Sequence, residues 1–234
     1  MNTRSLLLRD AQFGIALAFL AMSGLLQAQQ PVQQSAAPAS VITFTLDFPE
    51  SNPSHYSISV DSAGHATYEG QVKIEDSPEE QSYKTEFEMS AGNRDRVFDW
   101  AKQSHYFSGK IDSGKNVAFT GDKTLSYRDG QLSNTARYNY STVVPVQRLT
   151  TLFQSAASTL EYGRRLAYYH HYQKLALDEE LKRMQEQARD NELSEIQSVA
   201  PVLRQIVDDT SVINMVRGRA KELIQMGEIE AAGK

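Results

Sequence analysis

Residues 55–74 read HYSISVDSAGHATYEGQVKI, and their alternation decides the fold. Tyr56, Ile58 and Val60 share one parity, with Ser57, Ser59 and Asp61 on the other. After Asp61-Ser62-Ala63-Gly64, the positions Ala66, Tyr68, Gly70, Val72 and Ile74 again share one parity. Successive strand side chains point to opposite faces, so each run predicts a strand with one buried and one wet face. Gly64 supplies the positive φ that a tight reversal needs, and the two runs are expected to pair as a β-hairpin.

The same pattern extends outward. Upstream, Ile42, Phe44, Leu46 and Phe48 alternate with Thr43, Thr45 and Asp47. Downstream, beyond an acidic loop from Glu75 to Glu80 around Pro78, Tyr83, Thr85, Phe87 and Met89 alternate with Lys84, Glu86 and Glu88. Ser90 suits an N-cap, because its hydroxyl can take a free backbone N–H of a first helical turn. A short helix over 91–104 follows, with Val97, Phe98, Trp100 and Ala101 toward the sheet and Tyr106 and Phe107 sealing its exit. A second hairpin is written as TLSYRDGQLSNTARYNY at 124–140. Asp129-Gly130 suits a two-residue type I′ turn, which sets Tyr127 opposite Leu132 and Thr124 opposite Thr135.

From Val144 the period becomes helical. Leu149, Phe153, Ala156, Leu160, Gly163 and Ala167 step by four and three, and Leu177, Leu181, Met184 and Ala188 continue the phase. So long a helix predicts a bend or break near Gly163 or near His170. Asp190-Asn191 reads as a stop, and Ser194 with Gln197 as a capping box. Another helix restarts at Pro201, and Asp209-Thr210-Ser211 caps a last one that Gly227 ends. Gly218, between Arg217 and Arg219, marks an expected close helix crossing. The fold class is α+β: an antiparallel sheet of five or six strands with one short packed helix, then an α-helical C-terminal extension made of a long helix plus a helical hairpin.

The first residues carry Arg4 and Arg9, then an apolar run from Ala11 to Leu26, then Leu26-Gln27-Ala28. A basic start, an apolar middle and a small residue before the cut form a secretory signal peptide, so 1–28 is read as a leader cleaved near Ala28. Retained, it would be a membrane anchor. Removing Arg4, Arg9 and Asp10 with it shifts the formal charge of -5 by one, to -6. A mildly acidic chain argues against a nucleic-acid partner. There is no cysteine, hence no disulfide framework, no thiolate chemistry and no lipid-attachment residue. Residues 29–40, QQPVQQSAAPAS, lack the apolar side chains to offset ordering entropy and read as a disordered linker. The organisation is therefore a leader over 1–28, a linker over 29–40, a sheet domain over 41–143 and a helical extension over 144–230.

The stretch NPSHYSISVDSAGHATYEGQV, with Pro53, Tyr56, Asp61, Gly64, Tyr68 and Gly70, resembles a family of bacterial exported domains known only as a domain of unknown function. The order of the next helix, with Phe98 and Phe107, and of the later hairpin is similar too. The resemblance spans about residues 41–160. It implies an α+β sheet domain and no activity. Members of that family often carry a Cys pair before the Pro, which is missing here.

Chemistry-bearing motifs are sparse. There is no G-x-S-x-G elbow, phosphate loop or H-E-x-x-H pair. His170 and His171 are neighbours on a predicted helix and point about 100° apart, so they do not chelate one ion. They sit in an aromatic run with Tyr168, Tyr169 and Tyr172. Glu75, Asp76, Glu79 and Glu80 do not match a calcium loop. Arg164, Arg165, Arg217 and Arg219 are positioned to pair with Asp178, Glu179 and Glu180. Glu86 and Glu88, two apart on one strand face, are the candidate catalytic acids, since such spacing falls in the roughly 5–9.5 Å range of glycosidase carboxylates. No metal and no cofactor are expected.

The leading functional expectation is a non-catalytic binding or scaffold module, periplasmic or secreted, using its sheet face and its helical arm. Its partners would be another protein or a second copy engaged through the arm, with a membrane involved only if the leader stays as an anchor. The alternatives are a hydrolase of envelope glycans or peptides built on Glu86 and Glu88, and an inhibitor of an envelope enzyme that inserts the Asp129-Gly130 tip.

Overall fold

A computed structural model of the chain describes residues 39–73 and 80–233. The predicted leader, nearly all of the linker, and Glu75, Asp76 and Glu79 lie outside the described residues.

The fold is α+β. Six strands, β1 (Val41–Asp47), β2 (His55–Asp61), β3 (His65–Lys73), β4 (Glu80–Glu88), β5 (Asp122–Arg128) and β6 (Ser133–Tyr138), form one sheet in the order β4-β3-β2-β1-β5-β6. Every neighbouring pair is antiparallel. The first four strands form a meander. The chain then crosses through α1 (Ala91–Gln103) and returns to lay β5 against the free side of β1. Alternation fixes the faces as expected: Ile42, Phe44, Ile58, Val60, Tyr68 and Leu125 are fully buried. Thr43, Thr45, Ser57, Ser59, Thr67, Thr124 and Ser126 occupy the opposite face of the same strands, half-buried. Asp61 organises the first turn, its Oδ1 accepting the N–H groups of Ala63, Gly64 and His65 at 2.9–3.0 Å.

The second hairpin differs in register. Arg128 faces Ser133 and Tyr127 faces Asn134, two residues beyond the expected partner. Asp129 precedes the turn instead of occupying it. Its carboxylate accepts the Gln131 and Leu132 N–H groups at 3.0 and 2.7 Å, and its own N–H donates to Leu132 O. That side-chain turn outcompetes the type I′ placement. A two-residue shift preserves which face each side chain takes, so the core is unaffected.

Four helices complete the chain: α2 (Val144–Tyr172), α3 (Leu177–Arg189), α4 (Ala200–Asp208) and α5 (Asn214–Ala231). The stripe of α2, from Val146 through Leu149, Phe153 and Leu160 to Leu166, is buried. The Phe153 ring stacks on Phe44 of the central strand, centroids 5.4 Å apart and planes 2° from parallel. One hydrophobic core runs from the sheet through α1 and α2 into Leu181, Leu203, Val216 and Leu223. The stripe of the expected arm is thus covered by the chain's own sheet and helices.

Several helix boundaries correct the expectation. α2 runs unbroken past Gly163 to Tyr172, its buried stripe ending at Leu166, and the break falls at Gln173, three residues after His170 and close to the second of the two expected places. Gly163 does not bend it; a Cβ there would lie 2.5 Å from Val199 Cγ1, so the glycine admits the 196–199 turn. Gly227 does not end α5, which continues to Ala231; its Cβ would lie 2.8 Å from the Gln197 backbone N. Gly218, expected at a crossing, has nothing within 4 Å. Ser194 is no helix cap; its hydroxyl donates to Leu152 O at 3.3 Å. Asp209 likewise closes its own turn on Ser211 instead of capping α5, which starts only at Asn214.

Candidate functional site

The helix-side parity of β2, β3 and β4 carries a run of tyrosines. Tyr56 pairs across the sheet with Gly70, and Gly70 with Tyr83. A Cβ on Gly70 would meet Tyr83 Cε1 at 3.0 Å and the Tyr68 ring and hydroxyl at 3.1 Å. The missing side chain is what lets both rings lean over β3. Tyr56 and Tyr68 lie 5.8 Å apart centroid to centroid, Tyr68 and Tyr83 5.4 Å.

Opposite them α2 presents Glu161, 6% exposed. A buried carboxylate is costly unless its oxygens are satisfied, and these are. The Tyr68 hydroxyl donates to Oε1 at 2.8 Å, the Tyr83 hydroxyl donates to the same oxygen, and Arg164 Nε donates to Oε2 at 3.1 Å. Arg164 also lies over the Tyr83 ring at 5.5 Å. Burial, reinforced by the Glu161 charge, pushes the Tyr68 and Tyr83 hydroxyls above the usual phenol range, so both stay protonated donors. With three donors on it, Glu161 is a clamp between helix and sheet; no oxygen is placed to act as a base.

Tyr56 stands apart. It is 6% exposed, and its hydroxyl, unlike those of Tyr68 and Tyr83, is not tied to Glu161 but opens on a cavity. Burial raises its proton affinity too, with Tyr138 and Glu161 adding to the effect. It lines a cavity of about 320 Å³ between the loop after β1 and the α2–α3 pair. The other walls include Asn52, Pro53, Gln154, Ser158, Tyr162, Arg165 and Gln187. Arg165 is engaged elsewhere, donating to Glu180 at 2.5 Å with its guanidinium 4.6 Å above Tyr162. The cavity therefore offers neutral hydroxyls and amides beside two charges already neutralised.

Glu86 and Glu88, the candidate acids, sit on the open face of edge strand β4, opposite the helices. Both are exposed. They border a shallow depression of about 590 Å³ with Ser59, Asp61, His65 and Thr67. Glu88 Oε1 is 3.7 Å from His65 Nε2, while His65 Nδ1 contacts Asp61 at 2.9 Å. The Asp129-Gly130 tip is exposed at Gly130, and Gly130 adopts φ +88°. Glu80 accepts the Ser54 hydroxyl at 2.7 Å. His170 and His171 do not converge: His170 Nε2 meets Asp209 at 2.9 Å, and His171 packs edge-on against Tyr172. Arg165 pairs with Glu180 and Arg219 with Asp178, Arg164 turns back to Glu161, and Arg217 donates to Val207 O. Among the described residues no cluster of His, Asp or Glu is arranged to hold a metal ion, and no helix is long and apolar enough to cross a membrane.

The sequence reading missed Glu161 and the shared role of the tyrosines. The signals were present. Glu161 lies four residues after Ala157 on the buried arc of α2, where a charge demands partners. Tyr56, Tyr68 and Tyr83 all fall on the helix-side parity.

Fold and cavity together define a one-layer antiparallel sheet, helix-covered on one face, with a polar pocket at the sheet–helix seam. No protein-family model matches the chain, and no curated protein matches it. The likeness to the exported domain family therefore rests on the residues quoted for it.

Proposed function

We propose that this chain is a non-catalytic binding module working outside the cytoplasm, and that the Tyr56 cavity receives a neutral, hydroxyl-rich ligand of the sugar kind. The observation that carries the reading is the Tyr56 hydroxyl. That hydroxyl is not a buried orphan, the one such side-chain atom among the described residues being Gln197 Oε1; it opens on the cavity, where a bound hydroxyl or carbonyl can pair with it. Ser158, Gln154 and Gln187 add groups that both donate and accept, which suits hydroxyls better than a charged ligand. Tyr162 and Pro53 give the pocket apolar walls. Glu86 and Glu88 lie on the other face and exposed, without the burial that sets a general acid apart from a solvated carboxylate.

The test is amide-shift mapping by NMR on residues 29–234 with N-acetylglucosamine and its β-1,4 dimer. Shifts at Tyr56, Ser158 and Gln187 are expected, and Tyr56→Phe should weaken binding about tenfold, the worth of one buried hydrogen bond. No saturable shift at those residues with either sugar overturns the reading. Export rests on the leader alone, and N-terminal sequencing of the mature protein should begin at or near Gln29.

A further inference from the structure

A second cavity, of about 420 Å³, lies on the far side of α2 between that helix and α1. Asn93, Arg96 and Trp100 reach it from one face of α1, and Gln147, Arg148, Thr151 and Ser155 from one face of α2. The Arg148 guanidinium stands 5.9 Å from the Trp100 ring centre. Arg96 Nη1 donates to Asn93 Oδ1 at 3.1 Å. Neither arginine meets a carboxylate among the described residues, whereas Arg94, Arg137, Arg164, Arg165, Arg183, Arg189 and Arg219 all do. The groove holds one carboxylate, Glu230. Its two oxygens accept the Glu195 and Ile196 N–H groups at 2.9 and 3.2 Å, so it faces the backbone and leaves both guanidinium groups unneutralised.

Arg128, Arg204 and Arg217 meet no carboxylate among the described residues either, but Arg96 and Arg148 are exposed side by side in one groove with an indole. Guanidinium groups fork onto carboxylate and phosphate oxygens, and an indole offers an apolar face beside them. We infer that this groove binds a small organic anion, its carboxylate or phosphate held between Arg96 and Arg148 and its body laid against Trp100. The hydroxyls of Thr151 and Ser155 supply further hydrogen bonds to the same group. This site is independent of the Tyr56 cavity.

Trp100 is the chain's one tryptophan, so its emission reports on the groove directly. The experiment titrates the full mature chain with glucose 6-phosphate, inorganic phosphate, succinate and, as the uncharged control, glucose, at low and moderate salt. The expected result is a saturable change in emission with at least one of the three anions and none with glucose. Phosphate-bearing and carboxylate arms identify which oxyanion the groove takes. Arg96→Gln and Arg148→Gln, both at exposed positions, should each weaken binding about tenfold or more. The exposed Arg204→Gln should leave it unchanged, and circular dichroism checks that each variant is folded. Absence of a saturable response to every anion overturns the inference. So does a response that Arg96→Gln and Arg148→Gln leave intact.

Discussion

Glu195 holds Ser90, 105 residues away in sequence, by two hydrogen bonds: its carboxylate accepts the Ser90 backbone N–H and the Ser90 hydroxyl, each at 2.8 Å. Asn93 Nδ2 donates to the same carboxylate at 2.7 Å. Glu195 is 0% exposed, and it sits where the first turn of α1 leaves N–H groups free and its dipole favours negative charge. Ser90 keeps the capping role expected of it, accepting the Asn93 N–H at 3.4 Å, while the carboxylate ties that cap to the helical layer. Glu195→Ala strands four donors, the Ser90 N–H and hydroxyl, Asn93 Nδ2 and Gln197 Nε2, and should cost about 3 kcal/mol, whereas Glu195→Gln keeps one acceptor oxygen and should cost less. Urea unfolding followed by circular dichroism measures both. Equal, sub-kilocalorie losses would mean that the clamp contributes no stability.

Tyr56 and Tyr68 share a sheet face, yet their hydroxyls should respond oppositely to removal. Tyr68→Phe takes a donor from the buried Glu161 carboxylate and should destabilise by about 1–3 kcal/mol. Tyr56→Phe removes a hydroxyl that opens on the cavity and is not tied to Glu161, and stability should hold or rise by up to about 1 kcal/mol. Thermal melts of the two variants without ligand decide it. A loss at Tyr56→Phe as large as at Tyr68→Phe would mean that its hydroxyl is held within the fold.

Strand parity made the sheet legible, because burial on one face imposes a period of two wherever it acts. The tertiary use of single residues was not legible. Asp129-Gly130 fits a type I′ turn locally, but the choice between that turn and the Asp129 side-chain turn depends on how β5 and β6 align. Gly163 and Gly227 looked like helix punctuation. Their reason is the approaching segment 196–199, by its Val199 side chain at Gly163 and its backbone at Gly227, which no local pattern announces. The stripe of α2 was legible as apolar, but its partner was not; Phe44 of the central strand and Phe153 are 109 residues apart. The site was least visible, since Glu161 acquires meaning only when Tyr68 and Tyr83 arrive from other strands.

Three of the helical glycines, Gly163, Gly218 and Gly227, give a graded test of that reading. Gly227→Ala pushes a Cβ into the Gln197 backbone at 2.8 Å, which cannot move aside as a side chain can. Gly163→Ala meets Val199 Cγ1 at 2.5 Å, a stiff β-branched side chain that can still rotate. Gly218→Ala meets nothing and gains helix propensity. Expected changes are a loss of about 2–3 kcal/mol at Gly227, a loss of about 1–2 at Gly163, and a gain of about 0.5–1 at Gly218. Chemical denaturation of the three single variants tests the order, and a destabilised Gly218→Ala would contradict the open surface found there.

Asp209 should make the joint between α2 and the last two helices sensitive to acid. Its carboxylate accepts from Lys174 Nζ at 2.5 Å, from the Ser211 hydroxyl and N–H, and from His170 at 2.9 Å. The Lys174 hydrogen bond, then those of Ser211, hold its proton affinity well below the ordinary 3.8. In the unfolded chain those partners are gone and the ordinary value returns. The folded state therefore binds this proton less readily than the unfolded one. The stabilisation is fully present above the ordinary carboxylate value and disappears as pH falls through it toward the lowered one. Asp209→Asn should accordingly be less stable than the parent at pH 7, and the gap should begin to shrink below about pH 4 and still be narrowing at pH 2. Melting temperatures across that range measure the gap directly. High salt should narrow it at pH 7 as well, because the group is near the surface and the Lys174 pair is screened. A gap that stays constant with pH would assign the effect of the substitution to the Asp209 turn geometry and remove the charge from the account.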